Sequence, residues 1–262
     1  MVSSFPAQPI MKKLVLITVF ALGLGSAQSQ GLFRRRFEPK QVILFDLTLK
    51  RQYPGADMLS RFGPNTSIGM ELSYKTTGNW VFHVGGHFLF GKQVNETGIL
   101  DSLKGSTGEI IDQNGQFAVV GMDERGMYWG AGLGKVIPLN KINRNSGIYL
   151  SVGGGYLQHR IRIYSSNTVP QLNSDYKRGY DRLTFGPAAS QYIGYRFLDP
   201  RKRLNFSIGI EIIEGFTKNR RSLDFDTGQR DTRQRLDLLT GIRFSLTVPL
   251  YLKKASEEEF FE

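Results

Sequence analysis

The chain has 262 residues, with 34 lysines and arginines against 23 aspartates and glutamates, and therefore a formal net charge of +11. It contains no cysteine, which excludes disulfide bonds and metal sites built on thiolates. Its mean hydropathy is slightly polar, which excludes a membrane protein made of long apolar helices.

Two lysines followed by an apolar run predict an export signal near the N-terminus. Lys12 and Lys13 precede Leu14–Leu24, a stretch too short to span a bilayer. The small residues that follow, ending at Ala27, form a cleavage site, so the pattern favours a signal peptide over a buried helix. We expect residues 1–10 to be a misassigned upstream start, residues 11–27 a signal peptide cleaved near Ala27, and residues 28–36 a basic periplasmic segment.

Export changes how the positive charge is interpreted. Loss of Lys12 and Lys13 lowers the net charge of +11 by two, to +9. In an exported protein the nearest anions are lipid phosphates and surface polysaccharide. We therefore expect contacts with outer-membrane lipid and lipopolysaccharide, and no binding to nucleic acid.

Eight segments of the mature chain alternate apolar residues with polar residues or glycine, which is the pattern of strands with two unlike faces. Short and long connections alternate between them, as do the periplasmic turns and outer loops of outer-membrane barrels. The predicted strands are 41–50, 67–75, 80–91, 126–139, 147–164, 183–198, 204–216 and 236–251. We expect an all-β, antiparallel, up-and-down transmembrane barrel over residues 37–252. It has eight strands, or ten if Gln93–Arg125 hides a hairpin.

The last segment separates its two faces most clearly. Ile242 and Phe244 share one face and Arg243 lies on the other. Apolar residues outside and polar residues inside fit a wall in lipid; a soluble ligand-binding barrel with reversed faces is the alternative, and the one-sided long loops favour the membrane.

Four segments fit less well. Val42 and Leu44 weaken the contrast in the first, and the fourth carries three glycines on one face. The fifth changes phase near Leu157, as at a bulge, and the sixth contains Pro187.

Aromatic residues gather near the predicted strand ends, where membrane barrels carry two aromatic girdles. The expected lower girdle is Tyr74, Trp80, Tyr149, Tyr195, Phe197 and Tyr251, and the upper one is Phe88, Phe90, Trp129, Tyr164, Phe185 and Phe216.

Charged residues also fall on the predicted inner faces. Side chains fill the lumen of an eight-stranded barrel, so we expect a salt-bridged polar core, with a catalytic site or an ion path as alternatives. The predicted lumen network is Asp46, Glu71, Lys75, His83, His87, Arg196, Glu211 and Arg243. His83 and His87 lie about 13 Å apart along one strand, too far to share a metal ion. We expect neither a metal nor a cofactor.

Cations gather in the predicted third and last outer loops, where they are candidates to hold phosphates of lipopolysaccharide. A solvated loop with local partners such as Asp224, Asp226 and Asp231 is the alternative. The candidate lipopolysaccharide contacts are Lys177, Arg178, Arg182, Lys218, Arg220, Arg221, Arg230, Arg233 and Arg235. The acidic residues 253–262 are expected to form a disordered periplasmic tail, with pairing to the basic N-terminal segment or docking of periplasmic partners as alternatives.

Signatures of catalysis are otherwise missing from the sequence, which has no nucleophile elbow, phosphate-binding loop or zinc motif. His159 lies near the outer end of the fifth strand, with Ser151 and Ser165 in the same region. These residues keep a lipid A-modifying acyl hydrolase or transferase as an alternative, but we expect no enzyme.

In its strand pattern and at its two ends, the chain resembles the small outer-membrane β-barrels of Bacteroidota, in the broad class of the transmembrane domain of outer-membrane protein A. The resemblance covers residues 37–251 and rests on Gln28 and Gln30 at the expected new N-terminus, on the glycine and aromatic alternation, and on the final strand. Gly241, Phe244 and Leu246 match the usual barrel-assembly signal, whereas Leu239 occupies its polar position.

The resemblance implies an integral outer-membrane protein of a Gram-negative bacterium with both termini in the periplasm. We expect a structural protein or an accessory of an envelope secretion or assembly complex. The lipid A-modifying enzyme and a narrow channel for small solutes are the alternatives.

Overall fold

The computed structural model describes residues 37–200 and 203–251. Eight of its strands are β1 (Val42–Ala56), β2 (Asn65–Lys75), β3 (Trp80–Gly91), β6 (Val120–Pro138), β7 (Gly147–Ser165), β8 (Thr184–Leu198), β9 (Asn205–Asn219) and β10 (Gln234–Tyr251). They are antiparallel and close into one barrel in the order β1-β10-β9-β8-β7-β6-β3-β2. The predicted all-β, antiparallel, eight-stranded barrel is confirmed. The predicted start, signal peptide and basic segment (residues 1–36) and the acidic tail lie outside the described residues.

The hairpin that would have made ten strands exists, but it is not part of the barrel. Its strands β4 (Ile110–Ile111) and β5 (Phe117–Ala118) pair only with each other, inside the connection from β3 to β6. A 3₁₀ turn, Thr97–Leu103, lies in the same connection, and a second one, Pro170–Leu172, precedes helix α1 (Ser174–Tyr180) in the connection from β7 to β8. None of the helices within residues 37–200 and 203–251 has the length and apolar character needed to cross a membrane.

The connections are sorted by length between the two ends of the barrel. Residues 57–64, 92–119, 166–183 and 220–233 lie at one end, called here the long-loop end. Residues 76–79, 139–146 and 199–204 lie at the other, the short-turn end, together with the start of β1 and the end of β10. Several strands reach farther toward the long-loop end than predicted: β1 continues past Lys50 to Ala56, and β6 begins at Val120 instead of Gly126. Backbone pairing continues there although the apolar alternation has ended.

The predicted phase change in the fifth strand is wrong. β7 pairs with β6 in one uninterrupted register, from Gly147 opposite Pro138 to Ser165 opposite Val120. Inner positions of β7 become apolar beyond Leu157 because they pack under the long loops, while outer positions there become charged. Beyond Leu157 the inner face of β7 is thus largely apolar and the outer face charged, but each position still points to the same side of the wall.

The sixth predicted strand does form, as β8, and its pairing with β9 is interrupted near Pro187. The β8–β9 ladder pairs Phe185 with Lys218 and Ala188 with Gly215, and it is interrupted between these pairs. Proline has no N–H to donate, so an interrupted ladder is the expected result.

The barrel is apolar outside and polar inside. Phe82, Val84 and Ile210 each expose about half of their surface, whereas Arg196 and Arg243 are almost fully buried. This is the reverse of a soluble protein and the arrangement of a barrel whose wall lies in lipid. One predicted girdle residue is misplaced: Tyr149 points into the lumen and is buried, because it occupies an inner position of β7.

An apolar cluster caps the long-loop end. Loop residues pack on inner barrel residues in a single buried cluster, to which Met58 and Phe62 of the first loop contribute. Ile99, Leu100, Leu172 and Tyr180 come from the second and third loops, and Tyr128, Leu157 and Leu239 come from the strands. We call this cluster the cap, and its burial holds the loops over the mouth of the barrel.

A shorter segment crosses the short-turn end. The N–H of Phe37 donates to the carbonyl of Ile142 over 2.7 Å, and Asn145 donates to the carbonyl of Glu38 over 3.0 Å. The ammonium of Lys75 donates to the Asn145 side chain from inside, over 3.0 Å. Both mouths of the barrel are thus covered by the chain itself.

Candidate functional site

The middle of the lumen is filled by a neutral cluster of four charges. Arg243 donates to Glu71 over 2.6 Å and to Glu211 over 2.9 Å, and Lys50 lies 2.5 Å from Glu211. His87 completes the cluster with a 3.0 Å contact to Glu71. Two cations balance two carboxylates, as burial of charge requires.

A second ion pair lies between this cluster and the short-turn end. Arg196 and Asp46 pair over 2.9 Å, and both are fully buried. Thr247 donates to the same carboxylate. The guanidinium of Arg196 stacks over the ring of Tyr149 at 4.2 Å, so an inward aromatic covers the face of the buried cation.

The structure thus places all eight predicted lumen residues inside the barrel and brings them into three groups. Four belong to the central cluster and two form the Arg196–Asp46 pair. His83 lies beside the central cluster, 3.9 Å from Glu71, and Lys75 lies apart at the short-turn end. The void among Glu71, His83, Tyr128 and their neighbours measures about 10 Å³, which leaves room for no more than about one water molecule. Within the described residues no cluster of His, Asp or Glu has the geometry to hold a metal ion.

Sequence reasoning missed Lys50, although a signal for it was present. Lys50 continues the inner face of Asp46 and Thr48 at period two, but the predicted strand ended there. Arg61 was beyond reach, because it enters the barrel from the first loop and pairs with Asp237 over 2.6 Å.

His159 lies inside the barrel beside the Arg61–Asp237 pair, and not at a site that faces lipid. Its ring contacts Asp237 over 2.8 Å, packs edge-on against Phe62 at 5.4 Å, and is fully buried. Ser151 and Ser165 lie about 26 Å and about 20 Å away along the strand. The hydrolase hypothesis placed a serine beside His159 within reach of lipid, and neither condition is met.

The predicted loop cations are largely engaged with loop carboxylates. Arg182 pairs with Asp224 over 2.5 Å, Asp226 over 2.6 Å and Glu96 over 3.3 Å, which ties three long loops together. Burial alone would lower the pKa of Arg182, but these three carboxylates outweigh it and raise the pKa above its ordinary value. Arg182 is thus a structural cation of the long-loop end.

Other candidate contacts have partners of the same kind. Arg221 binds Asp181 through two nitrogens, at 2.5 and 2.8 Å. The remaining pairs are Arg233 with Asp57, Arg235 with Asp231, Arg178 with Asp175, and Arg220 with the carbonyl and ring of Phe185. Lys177, Lys218 and Arg230 form no ion pair within the described part of the chain. The loop cations therefore lie together at one end, but few of them are free.

Comparisons with known proteins give similarity in fold and none in sequence. No family model and no curated sequence matches the chain. Neisserial surface protein A is similar with a TM-score of 0.41 and 8% identity, over 79% of this chain and 96% of that one. Ail of Yersinia pestis gives 0.40 and 8%, over 79% and 99%. OprG of Pseudomonas aeruginosa gives 0.37 and 13%, over 82% and 99%. Identities of this size carry no information about activity.

Proposed function

We propose that this chain is an integral protein of the bacterial outer membrane that acts through its surfaces, as a structural or accessory component of an envelope secretion or assembly complex. The observation that carries the proposal is the apolar wall around a filled, neutral lumen. A wall of this kind is stable only in lipid, and a lumen closed by ion pairs has no path for solutes.

In this proposal the long-loop end faces the cell exterior, and both termini lie in the periplasm. Outer-membrane barrels carry long loops outside and tight turns inside, which matches the sorting of the loops here. The surfaces left for partners are the outer wall, the cap and the short-turn end. Lipopolysaccharide is the lipid that would surround the wall at the long-loop end.

The first test is the migration of unboiled and boiled protein on a gel, combined with fractionation of the envelope. A folded barrel in the outer membrane shifts on boiling; soluble periplasmic protein without a shift would refute the proposal. Chemical cross-linking in intact cells then tests the accessory role, and a barrel that is always monomeric would contradict that part.

Conductance in planar bilayers separates this function from a channel. We expect no discrete conductance from the natural protein. A variant with Lys50, Glu71, Glu211 and Arg243 all replaced by serine keeps the lumen neutral and removes the charged side chains that fill it. If it still shifts on boiling, it serves as the matched comparison: conductance of this variant alone would show that the four charged side chains block the lumen, although the Arg196–Asp46 pair and the cap remain in place. Discrete conductance of the natural protein would contradict the filled lumen.

A further inference from the structure

Three arginines point outward from the wall where β6 and β7 approach the long-loop end. Arg160 and Arg162 are exposed and Arg125 is half-buried, and the alternation puts all three on the lipid-facing side. Toward the middle of the wall the same faces carry Trp129 and Tyr156, whose rings lie 6.2 Å apart. Aromatic rings on a barrel wall mark the membrane interface, so the arginines lie at the level of lipid headgroups.

The arginines are poorly neutralised by the protein itself. Arg125 and Arg160 are direct cross-strand partners, and like charges in that position repel each other. Asp123 lies 3.2 Å from Arg125, but Asp181 is 3.9 Å from Arg160 and already binds Arg221 through two nitrogens. Asp123 is the direct cross-strand partner of Arg162, but it pairs with Arg125, and Arg162 forms no ion pair with any residue the structure describes. One wall carboxylate therefore stands against three wall arginines. An anion between the two strands would relieve this repulsion.

The arginines border a groove in the outer wall with a volume of about 450 Å³. Its lining is divided by chemistry: three guanidinium groups lie toward the long-loop end, and Phe88, Met127 and Gln158 lie side by side on adjacent strands below them, where Phe88 and Met127 provide apolar surface. A charged rim joined to an apolar base suits a lipid with an anionic head better than a free ion.

We propose that this groove binds the phosphorylated headgroup of an outer-leaflet glycolipid. The guanidinium groups of Arg125, Arg160 and Arg162 pair with phosphate oxygens, and the acyl chains lie along the wall over Phe88 and Met127. Guanidinium matches phosphate with two parallel hydrogen bonds, which suits arginine at each cationic position. The inference rests on the outer-membrane function proposed above and assigns the lipid contact to the wall instead of the loops.

The test is a binding titration of the purified, folded protein in detergent, followed by native mass spectrometry. The ligands are lipid A, the same lipid after removal of its phosphates, and inorganic phosphate. The wall variant carries R125Q, R160Q and R162Q, and the matched control carries R178Q, R230Q and R233Q, which removes equal charge from the loops. We expect the wall variant to lose about tenfold or more in affinity for lipid A, and the loop variant to stay within about twofold. Inorganic phosphate should not compete.

Four results would overturn the inference: no preference of the natural protein for phosphorylated lipid, equal loss in both variants, loss in the loop variant alone, or competition by inorganic phosphate. Each variant is first checked for the shift on boiling. If the triple wall variant does not fold, R160Q and R160K replace it; both should weaken binding, since lysine keeps the charge but not the paired hydrogen bonds. If the barrel fractionates with the outer membrane but does not bind lipid A, this inference is wrong and the proposed function is unaffected.

Discussion

Arg243 is the cation on which the charge balance of the lumen depends, so its replacement gives the sharpest test of the filled barrel. The side chain contacts Glu211 on the adjacent strand β9 and Glu71 on β2, and it is almost fully buried. In an Arg243→Met variant the two carboxylates would share a single cation, Lys50, and one negative charge would be buried without compensation. Loss of one partner of a buried ion pair costs about 3–5 kcal/mol of the free energy of unfolding.

A second substitution separates charge from packing. Adding Glu71→Gln to Arg243→Met makes the lumen neutral again, while the Lys50–Glu211 pair is retained and the amide still has a polar partner in His87. We therefore expect the double variant to recover about 2 kcal/mol or more relative to the sum of the two single changes. A loss caused only by the cavity that methionine leaves would not be recovered.

The measurement is equilibrium unfolding in urea of the barrel folded into lipid vesicles, followed by tryptophan fluorescence and by the shift on boiling. Arg233→Met is the control: its side chain is 69% exposed and pairs only at the surface, so its effect should stay below about 1 kcal/mol. The reasoning is refuted if Arg243→Met unfolds within about 1 kcal/mol of the natural protein, or if the double variant equals the sum of the single variants.

Three other predictions follow from the cap, the wall and the last loop. Phe62→Ala should cost about 3–5 kcal/mol and open the first loop to external protease, whereas Leu59→Ala in the same loop, which is exposed, should leave cleavage unchanged. Val84→Arg in the middle of the wall should destabilise the barrel in vesicles by about 2–4 kcal/mol, with Val84→Leu near neutral; equal effects would mean that this face does not meet lipid. Burial alone would raise the pKa of Asp231, but the backbone N–H of Arg233 and the Arg235 guanidinium outweigh it and hold the pKa below its ordinary 3.8. The unfolded state therefore takes up protons first, so the stabilisation is full above pH 3.8 and is lost as the pH falls through the lower folded value. Hydrogen exchange in residues 220–233 should show this loss on acidification, and Asp231→Asn should abolish the step.

The wall and the lumen could be predicted from the sequence because successive residues of a strand face lipid and the lumen in turn. Along β10, Ile242 and Phe244 must face lipid and Arg243 must face the lumen, so the period of two identifies both sides at once. The same rule placed Glu71 on β2 and Glu211 on β9 inside, although it could not pair them. Which carboxylate meets which cation depends on the barrel register, and that is set by closure of all eight strands together.

The long-loop end could not be predicted because its contacts are long-range and follow no period. Phe62 meets His159 and Arg182 meets Asp224 across loops that the sequence separates widely. The loop cations looked free for the same reason: a basic loop shows its charge in the sequence, but the carboxylates that neutralise it come from other loops. Charge composition is therefore a weak guide to an anion site unless the partners of each cation are known.

The one strand whose faces were misread is also the strand that carries the proposed lipid site. The pattern of β7 fails beyond Leu157 because its outer positions hold Arg160 and Arg162, which the rule for a lipid-facing wall does not allow in the apolar belt. A bulge would have turned these arginines inward and preserved the rule. The uninterrupted register with β6 keeps them outside, so the departure must be stabilised by something that the outer surface meets. In the proposed site that group is the phosphate of a lipid, which would balance the charge of Arg160 where it faces Arg125.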